Sequence, residues 1–419
     1  MQTRRLFTTL TLTAALAACS GDEPTGAADE TTTGDDTETA EAVSDCVTPE
    51  SAAFERPFAV DAEQYPFDDC AFETAAGTLH YVDAGPKDAE HTVLMVHGNP
   101  TWSFLYRNIS QDLLEDGYRV VIPDHIGMGM SDVPSTADFD YRPRSHAAHL
   151  QALVEALDLE DVTLVVQDWG GPIGLDLATK QPERIGRILI MNTWAWSVDI
   201  DDPGYAHQMV RWYEQVQMAE QVPDLFCRFM LPGQAAENAL QADPSEGTLY
   251  DAVLSAYISP HIVPETGDYR YAEPCAPMQI FAESIFDDNA FQAEIEARMT
   301  ALRGTPYALL FGLSDILFGA QRCDMIGEVA CPGTTTCACD PELLPDRVDA
   351  DCATASEEYF VCVDEDGAAL EPFADRFVEL LGEDTLVARE TVPTSDHMVQ
   401  EGAPEQVVAA IRQLIAETQ

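Results

Sequence analysis

A carboxylate sits where a short apolar run meets a glycine-rich turn, in Leu-Val-Val-Gln-Asp-Trp-Gly-Gly-Pro-Ile-Gly at residues 164–174. The run reads as a strand, and Pro172 suits the first turn of a helix. Asp168 then lies beside a helix N-terminus, whose positive end keeps it ionised and nucleophilic. Backbone N–H groups of the same turn can hold an oxyanion. A carboxylate attacking carbon forms an ester on the enzyme, a route suited to displacing a leaving group from a saturated carbon. An aspartate at this place is equally an ordinary helix cap, so Asp168 alone does not decide.

Other polar residues follow strand-like runs. His97 and Asn99, in Val-His-Gly-Asn-Pro-Thr-Trp, form a loop able to present a backbone N–H and a side-chain amide. Gly-Asn-Pro also makes plain turns. Residues 124–131, Asp-His-Ile-Gly-Met-Gly-Met-Ser, form a glycine-containing loop without phosphate-loop context. Asp315 follows Leu-Leu-Phe-Gly-Leu-Ser, and His397 stands in Thr-Ser-Asp-His-Met-Val-Gln-Glu-Gly ahead of the last helix. Singly, a loop aspartate is a turn residue and a lone histidine is structural. Together, Asp168, Asp315 and His397 run in the order nucleophile, acid, histidine.

The elements that must position them alternate. Strand-like runs are Thr78–Asp83, Thr92–Val96, Val120–Ile122, Val162–Val166, Ile188–Met191, Tyr307–Phe311 and Thr385–Val392. Residues 145–157 have helical apolar spacing with Ser145 as N-cap. Residues 404–417 place Val407, Val408, Ile411, Leu414 and Ile415 on one helical face. Such alternation predicts an α/β fold with a mostly parallel sheet covered on both faces. The expected core is 46–193 and 305–419. Residues 194–304 interrupt it with a helical stretch rich in aromatics and methionine, either a subdomain with its own core or a cap over the sheet's C-terminal edge. Residues 320–370 form a cysteine-rich insertion with few large apolar residues.

The 419 residues carry 21 basic and 74 acidic side chains, a net charge of −53. Such a surface disfavours nucleic acid and anionic membranes and is compatible with high salt. The N-terminus reads as a targeting segment, 1–18: Arg4 and Arg5, then an apolar run from Leu6 to Ala18 too short to span a bilayer. Leu16-Ala17-Ala18-Cys19 resembles a bacterial lipobox, which implies cleavage before Cys19, lipidation there, and a place in the cell envelope. An ordinary secretory signal is the alternative. Residues 19–45, acidic and without aromatics, read as a flexible tether. Of 11 cysteines, ten remain after Cys19. Cys46 could pair with Cys70, and Cys227 with Cys275. Cys323, Cys331, Cys337, Cys339, Cys352 and Cys362 allow many connectivities. Disulfides suit an exported chain better than zinc, since no histidine lies in that segment.

The motifs taken together resemble the α/β-hydrolase superfamily and, within it, the haloalkane dehalogenases. The matching stretches are 97–107, 123–132, 165–175, 191–196, 309–319 and 395–407. The resemblance covers roughly residues 70–419 apart from the cysteine-rich block and implies the following roles. Asp168 is the nucleophile, His397 the base that activates water, and Asp315 the acid that orients the imidazole. Backbone N–H groups of Asn99 and Trp169 form the oxyanion hole, while the Asn99 amide and Trp169 indole cradle the halide. No cofactor or metal is implied. One subfamily carries a glutamate after the strand preceding the cap, but here that strand ends Met191-Asn192-Thr193. The acid at Asp315 resembles the third subfamily. An epoxide hydrolase would share the triad and use cap tyrosines, and Tyr205, Tyr213, Tyr250, Tyr257, Tyr269 and Tyr271 are available. A fluoroacetate dehalogenase would need basic groups that are sparse here, and a serine esterase lacks its serine at 168. A lipid-anchored binding protein on a hydrolase fold is the non-catalytic alternative.

Overall fold

Two successive residues of a buried strand point to opposite faces of its sheet, so a strand apolar throughout must be covered on both sides. Strands of this kind build the centre of the molecule. The computed structural model describes residues 42–219, 247–262, 276–319, 336–339, 360–363 and 370–418, apart from isolated positions, together with 266 and 270. The strands are β1 (Ala42–Val43), β2 (Cys70–Thr74), β3 (Gly77–Ala84), β4 (Thr92–Val96), β5 (Arg119–Pro123), β6 (Val162–Gln167), β7 (Ile185–Met191), β8 (Tyr307–Gly312), β9 (Thr336–Cys339), β10 (Phe360–Val363) and β11 (Leu386–Val392). Nine of them form one sheet in the order β1-β2-β3-β5-β4-β6-β7-β8-β11. Its first four strands, β1, β2, β3 and β5, pair antiparallel, and every pairing onward from β5 through β4 to β11 is parallel.

The helices are α1 (Arg107–Glu115), α2 (Pro143–Ala156), α3 (Gly170–Lys180), α4 (His207–Ala219), α5 (Gly247–Ile258), α6 (Ala276–Asp287), α7 (Asn289–Arg298), α8 (Pro372–Leu381), α9 (Val399–Gly402) and α10 (Pro404–Glu417). One sheet face packs Leu94, Val96, Leu164, Val166, Ile188 and Ile190 into a cluster with α2, α3 and α8. The alternate residues, Val93, Met95, Val165 and Leu189, join a second cluster with α1 and α10. In α10, Val407, Val408, Ile411, Leu414 and Ile415 are buried, as their spacing predicts. The strands therefore end in a common edge, and Asp168, Asp315 and His397 all follow strands there.

Helix α2 departs from expectation. It starts at Pro143, with Arg142 as an extended N-cap residue, so Ser145 lies inside the helix. Proline has a fixed φ suited to the first helical position, and it sets the start two residues before the serine. Between β7 and β8 the described chain is largely helical, α4 to α7. A disulfide joins Cys46 to Cys70, the first residue of β2. Strands β9 and β10 form a separate antiparallel pair in which Cys337 stands opposite Cys362 in register. Cys19, the targeting segment, Cys227, Cys275, Cys323, Cys331 and Cys352 lie outside the described residues, as do Tyr269 and Tyr271. No helix among the described residues is long and apolar enough to cross a membrane.

Candidate active site

Asp168 has φ 51°, the left-handed region that a side chain rarely enters. Such a conformation costs on the order of 1–3 kcal/mol and persists only where its surroundings impose it. Here they do. Its N–H donates to Asn192 O at 3.0 Å, and its carbonyl accepts from Thr193 Oγ1 at 2.6 Å. The start of α3 also presses so close to the sheet that only glycine fits. A Cβ on Gly170 would lie 2.1 Å from Val96 O, and one on Gly171 1.8 Å from Thr193 Oγ1. Backbone crowding thus turns Asp168 out over the edge of the sheet.

Two loops meet it there. After β4, the Asn99 N–H donates to Asp168 Oδ1 at 2.7 Å. A Cβ on Gly98 would lie 2.3 Å from the same oxygen, so the approach needs glycine. After β11, His397 places Nε2 3.4 Å from Asp168 Oδ2 and Nδ1 2.9 Å from Asp315 Oδ2. Asp315 is buried, and its two oxygens also accept from the Leu317 N–H at 2.7 Å and Asn192 Nδ2 at 2.6 Å. The structure therefore brings Asp168, His397, Asp315 and Asn99 into one connected group. Gln167 Nε2 holds the His397 carbonyl at 2.9 Å.

The charges follow from this geometry. Burial disfavours a charged imidazole, but Asp315 and Asp168 outweigh it and hold His397 well above the ordinary histidine value. Burial likewise pushes the Asp315 carboxyl up, and His397, Asn192 and the Leu317 N–H together bring it below the usual range. Two neighbouring carboxylates favour the charged imidazole, and esterification of Asp168 would remove one of them.

A cavity of about 40 Å3 opens on the group, lined by Asn99, Asp168, Trp169, Trp212, Phe318 and His397 among others. Trp169 is buried, edge-on to Trp194 at 4.7 Å and to Phe281 at 5.7 Å, which fixes the plane of its indole. Asn99 Nδ2 donates one hydrogen to Met278 O of α6 at 3.0 Å. A primary amide carries two, so one remains for a ligand. Asn99 and Trp169 offer hydrogen-bond donors, Asp168, Asp315 and His397 form the charged group, and Trp212, Ile285, Leu317 and Phe318 are apolar, a lining suited to an uncharged carbon chain with an electronegative substituent.

A family model of the α/β-hydrolase fold matches residues 91–230. A haloalkane dehalogenase from Psychrobacter cryohalolentis is 32% identical over 258 residues, 61% of this chain and 77% of that protein. The chain belongs to the haloalkane dehalogenase family. A dehalogenase from Mycolicibacterium paratuberculosis is 46% identical over 135 residues, and the match spans 31% of this chain and 44% of that one. A cis-3-alkyl-4-alkyloxetan-2-one decarboxylase from Shewanella oneidensis is 44% identical over 126 residues, 30% of this chain and 38% of that protein. These last two matches thus span less than half of the relatives' length. Among solved structures, the tetrameric haloalkane dehalogenase from Paraglaciecola agarilytica shares the fold at TM-score 0.56 and 20% identity, covering 86% of this chain and 97% of that one.

Sequence reasoning missed three residues of this dehalogenase-family site. Asn192 entered it only as a position lacking an acid, yet its side chain bridges Asp315 and the Gly312 N–H, at 2.6 and 2.7 Å. Its φ of 30° shows a strand end bent to make that reach. Gln167 and Met278 join the site through single hydrogen bonds that no local pattern announces.

Proposed function

We propose that this protein hydrolyses carbon–halogen bonds of haloalkanes to an alcohol and halide through an ester on Asp168. The observation that carries this reading is His397 held between Asp168 and Asp315, with Asn99 and Trp169 facing the same cavity. Asp168 Oδ2 attacks the carbon, and its bonding electrons leave with the halide. The Trp169 indole N–H and the free Asn99 amide hydrogen receive that anion. Both are neutral donors, which stabilise a departing charge without trapping it as a cation would. The ester removes the charge of Asp168, so His397 loses one of its two anionic neighbours. It gives up its proton to solvent and, as the neutral imidazole, takes one from water as that water attacks the ester carbonyl carbon, while Asp315 steadies the imidazolium that forms; that proton then passes to the departing alcohol oxygen. Charge builds on Asp168 Oδ1, already 2.7 Å from the Asn99 N–H, and the backbone N–H of Trp169 is the second donor of the reading.

Several features favour halide over epoxide. The named cavity lining contains no tyrosine among the described residues, and Trp212 is an aromatic that the α4–α7 region presents there. Tyr257 donates to Glu401, and Tyr213 donates to Asp287 at 3.0 Å. Those hydroxyls are spent on structural contacts. The position of the acid after β8 supports placement in the third dehalogenase subfamily. We further propose residues 194–304 as the cap, 46–193 and 305–419 as the core, and Cys19 as a lipidated anchor in the cell envelope. The mass of the mature N-terminal peptide tests the last point.

The deciding experiment measures halide release, epoxide opening and decarboxylation of a cis-dialkyl oxetanone side by side on residues 46–419. The oxetanone is included because of the decarboxylase relative. Halide release that vanishes in Asp168→Asn supports the reading, and activity on epoxide or oxetanone alone overturns it.

A further inference from the structure

The Gly98–Asn99 peptide carries at one end the N–H that meets Asp168 Oδ1. Its other end is the Gly98 carbonyl, which accepts from three donors. These are His97 Nδ1 at 2.8 Å, Thr101 Oγ1 at 3.1 Å and the Thr101 N–H at 3.1 Å. In a planar trans peptide the C=O and N–H point in opposite directions. Holding the oxygen therefore aims the hydrogen. Hydrogen bonds to a carbonyl also polarise the amide, so the N–H becomes a stronger donor.

The donors are themselves locked. His97 is fully buried, and burial holds it below the ordinary histidine value despite Asp124. Its Nε2 accepts the His125 N–H at 3.0 Å, and His125 Nε2 donates to the His97 carbonyl at 2.9 Å. The first contact leaves the proton of the neutral His97 ring on Nδ1, facing Gly98 O, and the second ties His125 to the His97 backbone. Thr101 is buried, and its hydroxyl has the Gly98 carbonyl as its acceptor. A buried hydroxyl and a buried imidazole converge on one oxygen that already has a backbone donor.

We propose that Thr101 and His97 are positioning residues that clamp the Gly98 carbonyl and thereby aim and strengthen the Asn99 N–H as the oxyanion donor. The inference rests on Asp168 as the nucleophile. It makes a selective claim. Halide displacement draws negative charge away from Asp168, whereas ester hydrolysis builds it on Oδ1. Weakening the clamp slows hydrolysis more than displacement.

The test compares Thr101→Val, which keeps the shape and removes the hydroxyl, with Thr101→Ser, which restores it. Two readouts are taken. Amide spectra of isotope-labelled protein report the Asn99 N–H directly, without substrate. Rapid-quench kinetics with a short bromoalkane separate the halide burst from decay of the ester. In Thr101→Val the Asn99 amide proton moves upfield and ester decay slows about fivefold, with the burst little changed, and Thr101→Ser reverses both. An unmoved Asn99 resonance overturns the clamp. So does a burst slowed as much as the decay, which would mark a displaced nucleophile. If the unmodified protein forms neither halide nor ester, the dehalogenase reading falls while the resonance still decides the clamp.

Discussion

Two histidines among the described residues are each held between two carboxylates, and one of them, His397, lines the candidate-site cavity. His80 Nε2 lies 3.1 Å from Asp69 and its Nδ1 2.8 Å from Asp124. His397 lies 2.9 Å from Asp315 but 3.4 Å from Asp168. At His80 every oxygen is occupied. Asp69 also takes Arg56, and Asp124 takes the N–H groups of Ser103 and Met130. The three His80-cluster side chains are wholly shielded, and burial is overcome so that His80 is raised while Asp69 and Asp124 are lowered. The same chemistry thus serves as a closed ionic rivet in one place. In the other it is loosened by half an ångström on the side that faces the cavity. The triplet of residue types is common to both, and the sites differ in the cavity beside Asp168 and in the longer contact there.

The largest way to break this comparison is at the nucleophile. Asp168→Asn should abolish halide release while leaving a folded protein, measured by halide assay and circular dichroism. Next, His397→Phe should reduce turnover by about 1,000-fold, within the range for general-base removal, and accumulate an ester seen as added mass on Asp168. Trp169→Phe should lower halide release by about 100-fold, the scale of one lost donor to developing charge, and disturb epoxide opening far less.

His80→Gln tests the other pole. It should cost about 3–5 kcal/mol of stability in urea denaturation, because removing one partner strands buried charge. Its turnover per folded molecule should stay close to that of the unmodified protein. A variant that lost turnover without losing stability would erase the distinction between the two triplets. The smallest effect is on pH. Stability from His80, whose folded value is raised, is fully present below its ordinary 6.5 and lost as pH rises through the folded value. Stability from Asp69 and Asp124, whose folded values are depressed, is present above 3.8 and lost as pH falls through those values. The melting temperature contributed by this cluster should therefore peak between 3.8 and 6.5, and His80→Gln should flatten the peak's alkaline side.

The two triplets were not equally legible in the sequence. Asp168 and Asp315 each follow a largely apolar run of strand length and His397 follows the mixed strand Leu386–Val392, so chain order aligns them at one edge of a parallel sheet. The sheet itself was readable for the same reason. Asp69, His80 and Asp124 carry no such order, because they meet across antiparallel pairing and a loop. Asn192 was invisible for a further reason: its partner Asp315 lies 123 residues away across the helical interruption. Helix α2 shows the limit of local signals, since Pro143 overrode a serine that would have made a sound cap.

The bond between Cys46 and Cys70 has a mechanical side. Tension applied along the chain from residues before β1 reaches β2 both through the β1–β2 pairing and through that bond. The residues between the two cysteines are bypassed by that bond. Strand β2 is hydrogen-bonded along its length to β3. A pull from that end would load the antiparallel margin of the sheet, with three strands between β2 and the turn that holds Asp168.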